Sequence, residues 1–467
     1  MTDAAPRLAV VAERLLGAPL PVRVRAWDGS EAGPPDGPVL VIHDRRAVRR
    51  MMWRPGELGL ARAWVAGELT VEGNLFDLLD RVAGLLWERG QEPPPVGPGV
   101  STAQGGPGPF AALGGLARRA GLPALPGLPG AKWRDPALRA AARELIALAG
   151  PLPPPAPPAE EAAYRRAGQR HSKSRDRRAV SHHYDVGNDF YERVLGPSMV
   201  YSCAYWRPGS TLEEAQRDKL DLVCRKLALR PGERLLDVGC GWGSMALHAA
   251  REYGVRVTGV TLSREQAAYA RKRVADEGLT EQVDIRIQDY RDVKDGPYEA
   301  ISSIGMAEHV GADRYRDYAR TLHALLRPGG RLLNHQIARR PEPDEEAYRI
   351  DEFIDAYVFP DGELSPLGTT VGELERAGFE VRDVEALREH YGLTLRAWVA
   401  RLEEHWSEAV RLTSPGRARV WQLYMAACAL GFERGRLGVN QVLAVRTTAA
   451  GDARLPLRLR TWDAETV

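Results

Sequence analysis

"ERLLDVGCGWGSMALHAAREYG", residues 233–254, reads as a buried strand, a glycine-rich turn and a helix in immediate succession. Leu235, Leu236 and Val238 make a short apolar run, and helical periodicity begins at Ser244. The glycines between them let the backbone turn tightly and come close to a ligand, while the start of the helix favours a negative group. Their spacing is G-x-G-x-G, not the G-x-G-x-x-G of dinucleotide sites, and Asp237 precedes the first of them by two positions. A carboxylate at that place accepts a hydrogen bond from a cationic amine, so an amino acid suits this strand end better than a pyrophosphate. Asp237, Gly239, Cys240, Gly241, Trp242 and Gly243 are the first candidate binding residues.

The same strand-then-helix alternation continues on both sides of this unit. Strands are expected at 233–239, 255–261, 283–289, 298–305, 330–338, 379–387 and 440–446, with helices such as REQAAYARKRVADEG between them. The fold class expected is therefore α/β, with a seven-stranded, mostly parallel, Rossmann-like sheet covered by helices on both faces. Ligands of such sheets bind beyond the carboxyl ends of the strands. The second strand ends in Thr261, Ser263 and Gln266, a hydroxyl-rich helix entry in which Ser263 also suits a helix cap. The third ends in Gln288, Asp289 and Tyr290, which offer an acceptor and an aromatic face for an adenine. Three consecutive polar strand ends, one of them a glycine loop, describe a site for a nucleoside carrying an amino acid, which is S-adenosylmethionine.

With 467 residues, the chain is long enough for more than one core. Residues 1–90 read as a small α+β domain: PVRVRAW and PVLVIH form a strand pair, followed by helical GLARAWVAG and NLFDLLDRVAGLLWE. Between Pro93 and Pro158 lie 16 of the 34 prolines, so residues 91–164 are expected to be a linker holding one helix, DPALRAAARELIALAG. The catalytic domain is expected over 165–450, with a tail over 451–467. The net charge of +2 leaves any affinity for an anionic partner to local patches. One such patch is 165–183, with seven Lys/Arg against Asp176, which reads as a solvated face, an anionic membrane surface or a nucleic-acid contact. No apolar run is long enough to span a bilayer, and the N-terminus lacks the pattern of a cleaved signal. Four scattered cysteines give neither a disulfide framework nor a metal site, so a cytoplasmic setting and no bound metal are expected.

HHYDVGNDFYERVL (182–195), MVYSCAYW (199–206), LLDVGCGWG, GVTLSREQ, QDYRD, GMAEHVG (305–311), YVFPDG (357–362) and YGLTLRAW (391–398) together resemble the cyclopropane-fatty-acyl-phospholipid synthase family. The likeness runs in order from about 165 to 447. PLPVRVRAWDG and LGLARAWVAGE also resemble the accessory domain of its phospholipid-acting members. The resemblance implies a class I methyltransferase acting on the cis double bond of an unsaturated acyl chain in a membrane phospholipid. It implies cofactor contacts from Tyr201 and Ser202 as well as the residues above, and a bicarbonate ion held by the Cys203 amide, Glu308, His335, the Ile337 backbone and Tyr391. Cys428, in YMAACALGF, matches a cysteine sometimes assigned as a nucleophile, although its apolar setting reads as a buried structural cysteine. A homo-oligomer peripherally bound to the inner face of the membrane is expected, with no nucleic-acid partner.

An isolated alkene is a weak nucleophile, so its methyl donor must be strongly electrophilic, and the cation left behind needs a dry site lined by aromatic faces. Tyr184, Phe190, Tyr191, Tyr201 and Tyr357 are the aromatic candidates. A carboxylate pressed against that cation risks alkylation, so a small anion oriented by Glu308 serves better as the base that removes the last proton. Proton loss from the added methyl closes a cyclopropane ring; a preceding hydride shift gives an exocyclic methylene, which a separate reductase can saturate. Ala307 stands beside Glu308 where many ring-forming relatives carry Phe, and on that basis the methylene outcome is preferred with cyclopropanation next. A nucleic-acid methyltransferase would ordinarily carry a base-gripping N-P-P-Y after the fourth strand, where this chain has GMAEHVG. A non-catalytic lipid-binding role would leave the complete set of candidate residues unexplained.

Overall fold

The computed structural model describes residues 3–54, 56–88, 136–150, 152–161, 172–173, 175–176, 187–342, 345, 348 and 350–457. Much of the expected linker and basic segment, including Tyr184, Arg177 and Arg178, lies outside them, as does the end of the tail. The chain forms two compact units, one from Met1–Ala163, Glu342–Pro360 and Leu402–Arg436, the other from Tyr164–Pro341, Asp361–Arg401 and Leu437–Val467. The continuous 165–450 domain expected from sequence is thus interrupted twice.

In the first unit β1 (Arg23–Arg25), β2 (Glu31–Ala32), β3 (Val39–Ile42) and β4 (Leu69–Glu72) form a sheet of order β2-β1-β3-β4. The two strands expected as a pair, β1 and β3, do pair, but in parallel, because β2 folds back antiparallel on β1 before the chain returns. Helices Glu57–Val65 and Leu75–Glu88 fall where their periodicity places them, and Pro136–Ala149 packs on Ala4–Leu16. The two captured segments supply what these amphipathic helices lack. Helix Pro415–Glu433 is apolar around most of its circumference and packs against Glu57–Val65 and Leu75–Glu88 as a central helix. Trp64 Nε1 donates to the Arg419 carbonyl at 3.0 Å. Helix Glu352–Tyr357 is capped by Asp351, and its Glu352 amide donates to Glu57 Oε1 at 2.7 Å.

The second unit holds the sheet that positions the site. Its strands are β5 (Arg234–Val238), β6 (Arg256–Thr261), β7 (Val283–Ile287), β8 (Tyr298–Ile304), β9 (Leu326–Arg339), the short β10 (Ser365–Pro366), β11 (Glu380–Ala386) and β12 (Leu437–Arg446). The order is β11-β12-β9-β8-β5-β6-β7, with β10 added beside β9. β5 to β9 are mutually parallel, and β12 is antiparallel to both β9 and β11. All seven expected strands are present. Adjacent Leu235 and Leu236 on β5 enter two different apolar clusters, one on each side of the sheet. A strand buried on both faces must be apolar at consecutive positions, which is why 234–238 reads as a run and does not alternate.

Candidate active site

Above the carboxyl ends of β5, β6, β7 and β8 lies a cavity whose wall includes Tyr201, Ser202, Asp237, Gly239, Cys240, Gly241, Trp242, Thr261, Gln266, Gln288 and Asp289. Eleven of the thirteen sequence-selected binding residues therefore meet in one place. Gly241 has φ +54° and open space where a side chain would begin, as a loop that admits a ligand requires. Gly243 and Ser263 serve the framework. A Cβ on Gly243 would sit 3.0 Å from that of Ala270, so this glycine lets the helix Ser244–Tyr253 approach its neighbour. Ser263 caps helix Arg264–Asp276, its hydroxyl accepting from the Gln266 amide at 3.2 Å.

The polar groups on the wall are held by specific partners. Thr261 Oγ1 bonds Gln266 Oε1 at 2.9 Å, and Gln288 Nε2 donates to the Asp292 carbonyl at 2.9 Å. Asp289 accepts from the Arg291 backbone and guanidinium at 2.6–3.0 Å, which holds its carboxyl below the ordinary range against the opposing effect of burial. Asp237 Oδ1 accepts from Ser302 Oγ at 2.7 Å, whereas Oδ2 is buried without a partner among the described residues. Burial pushes the Asp237 carboxyl up to about 6, the Ser302 hydrogen bond and Lys219 pulling the other way. A buried acceptor aimed at a cavity suits a ligand ammonium. Lys219, also on the wall, escaped the sequence reading: in QRDKLDLVCRK it looks like one more charge on a solvated helix face.

A second group of residues gathers along the edge formed by β9, β12 and the start of helix Arg388–Glu404. Cys203 Sγ contacts the Leu387 carbonyl at 3.6 Å, and the Leu387 amide donates to Val439 at 2.8 Å. Val439 is the register partner of Ile337, whose amide donates to Glu308 Oε1 at 2.8 Å. His335 stands two residues before Ile337 and on the same face of β9. Tyr391, one turn after Leu387, is buried with its ring 6.1 Å from that of Trp398. The Tyr201 ring lies 5.4 Å from that of Trp398, so ring contacts link this cluster to the cofactor cavity. Of the adjacent pair at the β8 end, His309 lines that cavity and Glu308 turns toward β9. Ala307 is buried in one core cluster with Tyr290, Val310 and Tyr318, of which Tyr290 and Val310 also line the cavity.

This cluster contains several buried polar atoms without a partner among the described residues: Glu308 Oε2, both ring nitrogens of His335, and both amide atoms of Gln441. Gln441 is the register partner of His335 on β12, so the two side chains share a face. It too was missed by the sequence reading, although a fully buried Gln inside the apolar strand VNQVLAV is itself a signal. Burial pushes Glu308 up to about 7 and holds His335 well below the usual histidine range, leaving a neutral ring with one donor and one acceptor nitrogen. Unmatched donors and acceptors concentrated in this way suit a small polar guest. Bicarbonate, with a hydroxyl to donate and oxygens to accept, fits Glu308 Oε2 and His335. The Ile337 amide, expected from the resemblance to hold it, is already occupied by Glu308.

Three further candidates, Cys428, Arg175 and Tyr357, have buried or paired structural settings. Cys428 belongs to the first unit, in helix Pro415–Glu433, and burial raises its thiol strongly with Asp351 adding to the effect, so the thiolate needed of a nucleophile is disfavoured. Arg175, expected on a lipid-facing basic surface, is instead buried in a bidentate pair with Asp361, both contacts 2.6 Å. Lys173 pairs with Asp292. The Tyr357 hydroxyl donates to Glu161 at 2.9 Å within the first unit, a structural contact. Among the described residues no helix is long and apolar enough to cross a membrane, and no cluster suits a metal ion.

A seven-stranded sheet of this order, with a glycine loop after β5 and polar ends after β6 and β7, defines a class I S-adenosylmethionine-dependent methyltransferase. Within that class, the chain belongs to the mycolic acid cyclopropane synthetase family, whose match spans residues 171–442. It is 42% identical over 445 residues to a probable fatty acid methyltransferase of Mycobacterium tuberculosis, covering 94% of each chain. It is 39% identical to the cyclopropane-fatty-acyl-phospholipid synthase of Escherichia coli K12, over 58% of this chain and 68% of that one. The crystal structure of the mycolic acid cyclopropane synthase CmaA1 complexed with SAH and CTAB superposes with a TM-score of 0.54 at 35% identity, covering 57% of this chain and 97% of that chain. The protein is an S-adenosylmethionine-dependent methyltransferase of the cyclopropane synthase type, acting on lipid acyl chains.

Proposed function

We propose that the enzyme methylates the cis double bond of an oleoyl-type chain in a membrane phospholipid, removes one proton and releases a methylene-branched chain. S-adenosylmethionine supplies an electrophilic methyl when bound, and bicarbonate, when bound, supplies a base. Asp237 accepts from the ammonium of the cofactor, and the strand ends of β6 and β7 hold its nucleoside. Tyr201, Trp398 and Tyr391 keep water from the positive charge that develops on the acyl chain and offer it their ring faces. Glu308 and His335 orient the proton acceptor while remaining one group removed from the cation. The observation that carries this reading is the convergence of Glu308, His335, Ile337, Cys203 and Tyr391 on one strand edge beside the cofactor cavity.

Ala307 shares a core cluster with Tyr290 and Val310, which line the cavity, so the pocket-shape argument for the methylene product stands. A relative similar over nearly the whole chain and described as a probable fatty acid methyltransferase, with no ring named, accompanies that reading. Ring closure is the second reading, favoured by the likeness to the Escherichia coli cyclopropane synthase. A peripheral site of action on an anionic bilayer, as a homo-oligomer and with a partner reductase completing a methyl branch, accompanies the first reading. The test is to express the chain in a host rich in oleoyl phospholipids and analyse the acyl chains by mass spectrometry and NMR. Vinylic methylene protons are expected. Ring protons would replace the first reading with the second, and unmodified chains would overturn both.

A further inference from the structure

Lys219 and Asp237 are opposite charges buried in the wall of the same cavity, yet they do not pair. Lys219, on helix Leu212–Lys226, is 1% exposed, and Asp237, at the end of β5, is 2% exposed. Lys219 Nζ donates to Ser202 Oγ at 3.0 Å, and among the described residues no carboxylate lies within salt-bridge distance of it. Asp237 spends one oxygen on Ser302 and leaves the other buried and, among the described residues, unmatched. A buried ammonium costs several kcal/mol unless it is paired, and its three donors need three acceptors. Ser202 provides one. A ligand bearing both a carboxylate and an ammonium would neutralise the two residues together, and the amino-acid end of the cofactor has that pair of charges.

We propose that Lys219 holds the carboxylate of the amino-acid end of S-adenosylmethionine, while Asp237 holds its ammonium and Ser202 keeps the Lys219 ammonium aimed into the cavity. The proposal rests on the cavity being the cofactor site. It assigns the two signs of the zwitterion to two different residues of the cavity lining. Burial penalises each charge and pushes Lys219 down to about 8 and Asp237 up to about 6, so both charges are available to a ligand near neutral pH.

The test is calorimetric binding to the full chain with three probes: S-adenosylhomocysteine, decarboxylated S-adenosylmethionine, which keeps the ammonium alone, and 5′-methylthioadenosine, which has neither group. Lys219→Met should weaken S-adenosylhomocysteine about ten- to hundredfold and leave methylthioadenosine within about twofold, the range of a charge-assisted hydrogen bond. Wild type should prefer S-adenosylmethionine over its decarboxylated form by about tenfold or more, and the variant should lose that preference. Equal weakening of all three probes, or undiminished S-adenosylhomocysteine binding, would overturn the proposal. If Lys219→Met does not fold, Lys219→Gln and the wild-type comparison still decide it, because equal wild-type affinity for the carboxylated and decarboxylated forms is also a refutation. Wild type that binds none of the probes would overturn the cofactor site itself, an outcome distinct from a misassigned Lys219.

Discussion

The backbone amide of Ile337 donates to Glu308 Oε1 at 2.8 Å, tying the acid just beyond the tip of β8 to the carboxyl end of the neighbouring β9. One carboxylate oxygen is thereby fixed, and the other is left buried without a partner among the described residues. Glu308→Gln keeps a carbonyl oxygen for the Ile337 amide but replaces the second acceptor with a donor. Binding of S-adenosylhomocysteine should persist while turnover falls by about a hundredfold or more, the scale of a misplaced proton acceptor. Calorimetry and product formation on the same preparation check this, and undiminished turnover would take Glu308 out of the chemistry.

The same substitution carries a pH signature in stability. Burial raises the folded-state pKa of Glu308 to about 7, above its unfolded value, so the folded state holds the proton more tightly. The contribution of Glu308 is therefore fully present below the ordinary carboxyl range and is lost as pH rises through about 7. Glu308→Gln has no proton to lose. The melting temperature of wild type relative to the variant should fall between pH 5 and pH 8, and a constant difference would contradict the burial of this carboxyl.

Arg175 and Asp361 form a pair whose side chains are 9% and 12% exposed. Truncating one partner strands the other charge, so Arg175→Ala should cost about 3 kcal/mol of stability, against less than about 1 kcal/mol for an exposed arginine. Chemical denaturation of Arg175→Ala, Asp361→Ala and the double variant measures it. A coupling near zero would show the pair to be incidental. Loss of vesicle binding in an Arg175 variant would consequently report instability before it reported lipid contact.

Cys428→Ala separates structure from nucleophilic chemistry. The thiol lies in the well-packed helix Pro415–Glu433, so the small void should cost about 1 kcal/mol, while turnover stays within about threefold of wild type. A collapse in turnover with unchanged stability would restore Cys428 as a catalytic group.

What could be read from the sequence follows from where the physics is local. The strands of the large sheet announce themselves because a strand buried on both faces must be apolar along its length, as 234–238 is, and the residue after such a strand is at the ligand edge by topology alone. Asp237, Thr261, Gln266, Gln288 and Asp289 were legible for that reason. Lys219 and Gln441 were not, since their roles depend on which elements pack over them. A lysine among acids on a helix looks solvated until Ser202 and the end of β5 close around it. The capture of 342–360 and 402–436 by the first unit was equally hidden, because an apolar helix such as 415–433 declares that it is buried without saying in which core. The parallel pairing of β1 with β3 was obscured by β2, too short at two residues to give an alternating pattern.

Proton linkage gives the last prediction, and it bears on the charged end of the cofactor cavity. Asp237 must be ionised to hold an ammonium, yet burial raises it to about 6; Lys219 must be protonated to hold a carboxylate, yet burial lowers it to about 8. A bound zwitterion restores both charges. Binding of S-adenosylhomocysteine should therefore release a proton from Asp237 at the acid end and take one up on Lys219 at the alkaline end. Its affinity should be greatest between about pH 6 and pH 8, whereas methylthioadenosine, which touches neither charge, should bind with little dependence on pH across that window. Calorimetry in buffers of different ionisation enthalpy reads the proton count directly. Asp237→Asn should abolish the acid-side release and Lys219→Gln the alkaline-side uptake. A wild-type proton count of zero at both ends would mean that the two buried charges are already satisfied without the ligand.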